Sequence, residues 1–201
     1  MNPAEPVRTF IAIELSDEFK TQLAEAQARL KARSPGRSVK WVNPEGIHLT
    51  LKFLGNVPAG QIPAISGAIE RAVAGHSAFD IHLAGLGCFP DLNRPRVVWV
   101  GVEGDLEALE ALQRAVEKEL NTLGYPPEGR RFTAHLTLGR VRDDAAPDER
   151  RRLGEAVRAA VLESGAGLTV HQVSLMKSDL QPAGAVYTQL AAARLKLTSG
   201  L

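Results

Sequence analysis

The sequence predicts an α+β protein of two pseudo-symmetric lobes, each built of antiparallel strands with flanking helices, facing each other across a central groove. Three observations carry that expectation. Strand-like alternation and helix-like periodicity take turns along all 201 residues, with no low-complexity tract and no compositional break that would mark a linker. The order strand, helix, strand, helix, strand occurs once before about residue 90 and again from about residue 97. The word "HLTL" stands at 48–51 and again at 135–138, at the matching place in each half. A repeated four-letter word is weak alone; one built on histidine, used only five times in the chain, inside matching context is not. The expectation is one domain over residues 1–201 made of two similar lobes, long enough to bury a core.

Each element has its own signal. "RTFIAIEL" (8–15) is apolar and β-branched, a first strand. Ser16 caps a helix over 17–33, where Phe19, Leu23, Ala26 and Leu30 recur at helical spacing, and "SPGR" ends it. "VKWV" and "IHLTLKFLG" are strands on either side of the turn "NPEG". A helix over about 59–74 leads to the alternating strand "FDIHLAGLG" and the loop "CFPDLNRPR". "VVWVGV" (97–102) precedes a helix over about 105–123 that carries Leu106, Leu109, Leu112, Val116 and Leu120. "GYPPEGRR" is a loop, "FTAHLTLGRV" a strand and 147–163 a helix; "GLTVHQVSLMKS" and "AVYTQLAAARLKL" close the fold as strands.

Composition bounds the function. Apolar residues make up 44% and charged residues 23%, the balance of a soluble globular protein. A net charge of +1 gives no global attraction for a long nucleic acid, so an anionic ligand must be met by a local cluster. The single Cys88 excludes an internal disulfide and, within the apolar run "GLGCF", reads as core filler. No segment has signal length, and none approaches the roughly 20 apolar residues of a membrane span, so a cytoplasmic location is expected.

The chemistry sits in the repeat. Residues i and i+2 of a strand share a face, so His48 with Thr50, and His135 with Thr137, form two polar pairs, while the leucines between them face the core. Two such pairs facing one pocket suit displacement at phosphorus, which needs a base on the entering oxygen and an acid on the leaving oxygen. Imidazole serves in either form near neutral pH, and threonine hydroxyls can donate to the non-bridging oxygens. Other chemistries lack their signatures: no GxxxxGK loop, no GxSxG elbow and no HExxH helix. No Cys, Asp or Glu within four residues of His135 offers a third ligand, so neither metal nor cofactor is expected. His76, His82 and His171 read as surface or strand residues. Of the arginines at 94, 96, 130, 131, 140 and 142, which could gather at one rim, Arg140 is the one expected on a phosphate.

"HLTLKF" (48–53) and "HLTLGR" (135–140) resemble the HxTxxF and HxTxxR forms of the two-histidine phosphoesterases. More narrowly, the chain resembles the LigT/ThpR branch, the RNA 2′,3′-cyclic phosphodiesterases first called 2′-5′ RNA ligases. The likeness runs through "VKWVNPEGIHLTLKFLG", "GLGCFPDLNRPRVVWVGV" and "SLMKSDLQPAGAVYTQLA". It implies a bilobal fold and metal-independent hydrolysis of RNA 2′,3′-cyclic phosphate ends to 2′-phosphates by a monomer, with tRNA halves or small cyclic nucleotides as candidate carriers. Carried over, His48 is the acid on O3′, His135 the base for water, and Thr50, Thr137 and Arg140 hold the phosphate. The pseudo-symmetry leaves the sequence nearly indifferent to which histidine does which. Two alternatives stay open: 2′-5′ ligation with a 5′-hydroxyl in place of water, and a non-catalytic module that binds RNA ends.

Strict alternation from His48 places Lys52 on the pocket face and Phe53 on the core face, between Leu51 and Leu54; the same count places Arg140 toward the core. If Arg140 meets phosphate, its strand must end, twist or bulge after Thr137, which Gly139 permits. Pseudo-symmetry then turns Phe53 to the groove as well, where its ring can stack on a terminal base.

Overall fold

A computed structural model describes residues 5–34, 37–162, 167–181 and 184–197. The first strand, β1 (Pro6–Glu14), leads into α1 (Asp17–Arg33), whose first turn is closed by the Ser16 hydroxyl accepting from the Phe19 N–H at 3.3 Å. Its expected stop falls partly on residues 35 and 36, which lie outside the described residues. Next come β2 (Val39–Trp41), a 3₁₀ turn over Pro44–Gly46, β3 (His48–Pro58), α2 (Ile62–Val73) and β4 (Phe79–Phe89). Then follow β5 (Val97–Gly104), α3 (Leu106–Asn121), β6 (His135–Val141) and α4 (Pro147–Ala159). The last three strands are β7 (Gly167–Val170), β8 (Gln172–Gln181) and β9 (Gly184–Arg194). Among the described residues, no helix is long and apolar enough to cross a membrane.

The strands form two antiparallel sheets, ordered β3-β1-β8-β9 and β2-β6-β5-β4-β7. Each HLTL strand flanks the strand that opens its half: β3 lies beside β1, and β6 beside β5. The sheets do not divide the chain at residues 90–97, however. The first draws β8 and β9 from the C-terminal half, and the second draws β2 and β4 from the N-terminal half. The helices cross over too. Helix α1 leaves the first sheet to cover the second, where the buried Gln27 amide donates to the carbonyls of Val42 (2.7 Å) and Leu138 (2.9 Å). Helix α3 leaves the second sheet to lie on β3, α2 packs on α3, β8 and β9, and α4 rests on β4.

Three local expectations change. "GLTVHQVSLMKS" is two strands, because the chain passes from one sheet to the other at the exposed His171. The fourth helix ends at Ala159 rather than near 163, a residue outside those described. The third is the run of β3, set out below.

The main core gathers Phe19, Leu23 and Leu30 of α1, Ile65 and Ile69 of α2, and Leu109, Leu112, Val116 and Leu120 of α3 against Leu49, Leu51, Leu136 and Leu138 of the HLTL strands. The leucines of both motifs therefore anchor the strands to the helices. Burial of Leu-sized side chains is worth about 1.5–3 kcal/mol each, so the motif strands are held as firmly as any part of the core. Cys88 is buried in this cluster, its thiol pushed up to about 12 by burial, which fits packing and not nucleophilic chemistry.

Candidate active site

The half-buried pairs His48/Thr50 and His135/Thr137 lie on the face of their strands opposite the core leucines. Strands β3 and β6 belong to different sheets and come into contact with each other, so the two motifs meet at the junction of the sheets. Each imidazole is fixed in the same way. His48 Nδ1 lies 2.9 Å from the Gly46 carbonyl, and His135 Nδ1 lies 2.8 Å from the Thr133 carbonyl, two residues back in both cases. A carbonyl can only accept, so each Nδ1 carries its proton and each Nε2 is left to exchange one with a ligand. Neither threonine hydroxyl is engaged by another described group, which leaves both available as donors.

Aromatic rings flank both histidines. Phe10 stacks on His48 with centroids 4.4 Å apart and planes 25° apart, and Tyr187 meets it edge-on at 4.9 Å. Phe89 meets His135 edge-on at 4.9 Å and packs in turn on Trp99. Trp99 pairs across the strands with Thr137 and fills the space over Gly87, where a Cβ would lie 2.2 Å from the indole. Burial among these groups pulls the His48 pKa below its ordinary value, opposed by the Gly46 carbonyl and by Glu14. Burial pushes the Tyr187 phenol up, while Arg140 and Arg8 pull it back. Tyr187 of the first sheet therefore lies within electrostatic reach of Arg140 in the second.

The run of each motif is set by a bulge. In β6 the pairing shifts between Val98 and Trp99: Trp99 faces Thr137 and Val98 faces Gly139, so Leu138 is skipped. Beyond that point alternation resets, Gly139 turns inward and Arg140 turns out to the exposed side. Glycine is required there, because a Cβ would come within 2.7 Å of Val39 and 3.0 Å of Trp41. In β3 the pairing shifts twice, skipping Leu51 and Leu54. Two expectations from strict alternation are thereby corrected. Lys52, the counterpart of Gly139, is buried rather than pocket-facing and pairs with Glu117 of α3. Phe53, the counterpart of Arg140, is 54% exposed and its ring lies 5.9 Å from Phe10, so it is not core.

Of the other arginines, Arg131 pairs with Glu110 at 3.6 Å, and Arg150 is held by the carbonyls of Arg142 and Pro95. Arg8, which the sequence reading passed over, shares with Arg140 its proximity to Tyr187. Its signal was present in "RTFIAIE", whose alternation puts Arg8, Phe10, Ala12 and Glu14 on one face. Among the described residues, no three His, Cys, Asp or Glu side chains are placed to hold a metal ion.

A family model described as LigT like Phosphoesterase matches the chain twice, over residues 13–99 and again over 100–187, each match containing one HLTL motif. The chain belongs to the LigT-like phosphoesterases. Among curated relatives of this LigT-like protein, one from Methanothermobacter thermautotrophicus is 36% identical over 94% of this chain and 99% of its own length; one from Thermotoga maritima is 35% identical over 92% and 93%. Both are named RNA 2′,3′-cyclic phosphodiesterase. Among solved structures, a Thermus thermophilus protein superposes with a TM-score of 0.72 at 31% identity, over 94% of this chain and 98% of the other. Escherichia coli LigT complexed with 3′-AMP superposes with a TM-score of 0.73 at 26% identity, over 95% and 99%. The LigT fold thus accounts for the α+β architecture with its two antiparallel sheets.

Proposed function

We propose that this LigT-like phosphoesterase hydrolyses RNA 2′,3′-cyclic phosphate ends to 2′-phosphomonoesters; the name RNA 2′,3′-cyclic phosphodiesterase, carried by its relatives, supports the substrate class. The observation that carries the reading is the duplicated anchoring of two imidazoles, each with Nδ1 tied to the carbonyl two residues back and Nε2 left for chemistry. Binding alone has no use for two groups so prepared. In this mechanism His135 Nε2 takes a proton from water as the water oxygen attacks phosphorus. The P–O3′ bond breaks on the opposite side, and His48 Nε2 gives its proton to O3′. The products are a 3′-hydroxyl and a 2′-phosphate, and proton exchange with solvent restores both histidines. Thr50 and Thr137 donate to the non-bridging oxygens, where charge builds, and Arg140 adds its positive charge.

Phe53 is the base platform: an exposed ring beside Phe10 is free to stack on the terminal base, a contact worth about 1–3 kcal/mol and tolerant of base identity. The two imidazoles supply both proton transfers, so the route needs no metal and no cofactor. The working unit is a cytoplasmic monomer, residues 1–201 acting as one domain of two lobes, with RNA 3′ ends bearing a cyclic phosphate as partners.

The test is incubation with an oligoribonucleotide ending in a 2′,3′-cyclic phosphate, in EDTA, followed by identification of the product. A 2′-phosphate end is expected. A 3′-phosphate end, or loss of activity in EDTA with recovery on adding a divalent ion, overturns the mechanism; a 2′-5′ joined product formed in preference to hydrolysis makes ligation the activity.

A further inference from the structure

The pseudo-symmetry of the two motifs breaks beside the histidines. In the β1–β3 register Glu14 stands directly opposite His48; in the β5–β6 register the residue opposite His135 is Gly101. Directly paired residues of antiparallel strands share a face, so one imidazole has a carboxylate for a neighbour and the other has no side chain in that place. The carboxylate is held from the far side. Ser174 Oγ and Gln189 Nε2 both donate to Glu14 Oε2, at 2.8 Å and 2.6 Å, and Gln189 Nε2 also lies 2.9 Å from Ser174 Oγ. Ser174 is fully buried. Both donors are neutral: they fix the oxygen without cancelling its charge. Among the described residues, no lysine or arginine pairs with Glu14.

We propose that Glu14 is a positioning residue that sustains the charged form of His48, the general acid of the mechanism above. The proposal rests on the cyclic phosphodiesterase reading given above. A fixed anion beside an imidazole favours the imidazolium, the form that a general acid must hold when substrate binds. The groups facing His48 from each neighbouring element are Glu14 and Phe10 of β1, Tyr187 of β9 and the Gly46 carbonyl. Arg8 and Arg140 lie near the Tyr187 hydroxyl, and Glu14 is the charged residue whose field reaches His48. The rings desolvate the imidazole and pull its pKa down, so the carboxylate offsets a cost that the site itself imposes.

The test is Glu14→Gln, which keeps shape and hydrogen-bonding capacity but removes the charge, compared with wild type across the pH range and alongside Glu14→Asp. Above its pKa an imidazole loses tenfold in charged fraction for each unit its pKa drops, so Glu14→Gln should turn over roughly threefold or more slowly at neutral pH, with KM little changed. As pH falls below both histidine pKa values, the rates of variant and wild type should converge, because His48 is then charged in both. Glu14→Asp should recover part of the neutral-pH rate. Equal rates at neutral pH with a faster Glu14→Gln at acid pH would make His48 the base and overturn the proposal, as would superimposable profiles. NMR titration of His48 in both proteins reads the coupling without turnover: its pKa should fall in Glu14→Gln while that of His135 stays put. A wild-type protein that hydrolyses no cyclic phosphate removes the functional reading, and the acid assignment with it. A normal wild type whose His48 titration ignores the substitution removes the Glu14 proposal alone.

Discussion

Replacing Lys52 with methionine should cost more stability than any surface substitution in the molecule. Lys52 is 2% exposed, and its ammonium donates both to Glu117 Oε2 and to the Pro126 carbonyl, the latter at 2.8 Å. Methionine fills the volume of the stem but leaves Glu117, itself only 8% exposed, without a cation. What remains to that carboxylate is the Gln113 amide at 3.3 Å and the Glu128 N–H at 3.5 Å, two long neutral contacts. Breaking one side of a buried pair costs about 3–5 kcal/mol, because the desolvated partner stays behind. For a chain of this size each kcal/mol moves the melting temperature by about 2–4 °C, so a drop of roughly 6–20 °C is expected. Thermal and urea unfolding followed by circular dichroism measure it. The double variant Lys52→Met/Glu117→Leu should recover most of the loss, since no buried charge is then left alone. A single variant within about 1 kcal/mol of wild type, with an unchanged urea slope, would show that the pair is solvated and that the inward turn of Lys52 carries no energetic weight.

His48→Ala and His135→Ala should each lower turnover by about 10²–10⁴-fold with the fold intact, the usual worth of a general acid or base; a variant keeping more than a tenth of the activity takes that histidine out of the mechanism. Arg140→Lys should impair turnover markedly, because a point charge cannot reproduce a planar fork on phosphate, and full activity would place Arg140 outside the site. Phe53→Leu should raise KM with kcat and melting temperature close to wild type, since the ring is largely exposed; a loss of stability with normal KM would refute stacking. His48 has its pKa lowered by burial, so the unfolded chain binds the extra proton first. The stability it lends is whole above its unfolded value of about 6.5 and is lost as pH falls from there through the lowered folded value. The stability gap between wild type and His48→Gln should therefore narrow on acidification, and a gap independent of pH would contradict the burial of that ring.

What the sequence made legible was whatever repeats locally. The helical spacing of Phe19, Leu23, Ala26 and Leu30, and the alternation of His48, Leu49, Thr50 and Leu51, each reflect one residue meeting one core, and both reappear in the structure. The bulge after Thr137 could be argued because burying Arg140 would have been costly, and the glycine beside it pointed to the spot. Its two counterparts in β3 have no such flag: Leu51 and Leu54 look like any strand residues, so strict alternation puts Lys52 and Phe53 on the wrong faces, and only the pseudo-symmetry with Arg140 turns Phe53 outward. Pairing across the sheet was out of reach for a related reason. Glu14 is an unremarked strand-end acid until β1 is laid against β3 with those bulges in place, and Ser174 and Gln189 join it only through β8 and β9.

The interleaving of the two sheets also sets a timetable. Every strand of the second sheet has been synthesised by Val170, so β2, β4, β5, β6 and β7 can close around His135 while the chain is still growing. The first sheet has only β1 and β3 until Gln172 is made, and two strands alone are at best marginal in water. The wall around His48, with Ser174, Tyr187 and Gln189, is among the last of the chain to leave the ribosome. A nascent or C-terminally clipped chain therefore presents one imidazole with its surroundings complete and one held by Gly46 and Phe10 but lacking Tyr187 and the supports of Glu14. On the reading proposed above, such a chain holds the base while the surroundings of the acid are incomplete, so full hydrolysis of cyclic phosphate ends is expected only once β8 and β9 are made.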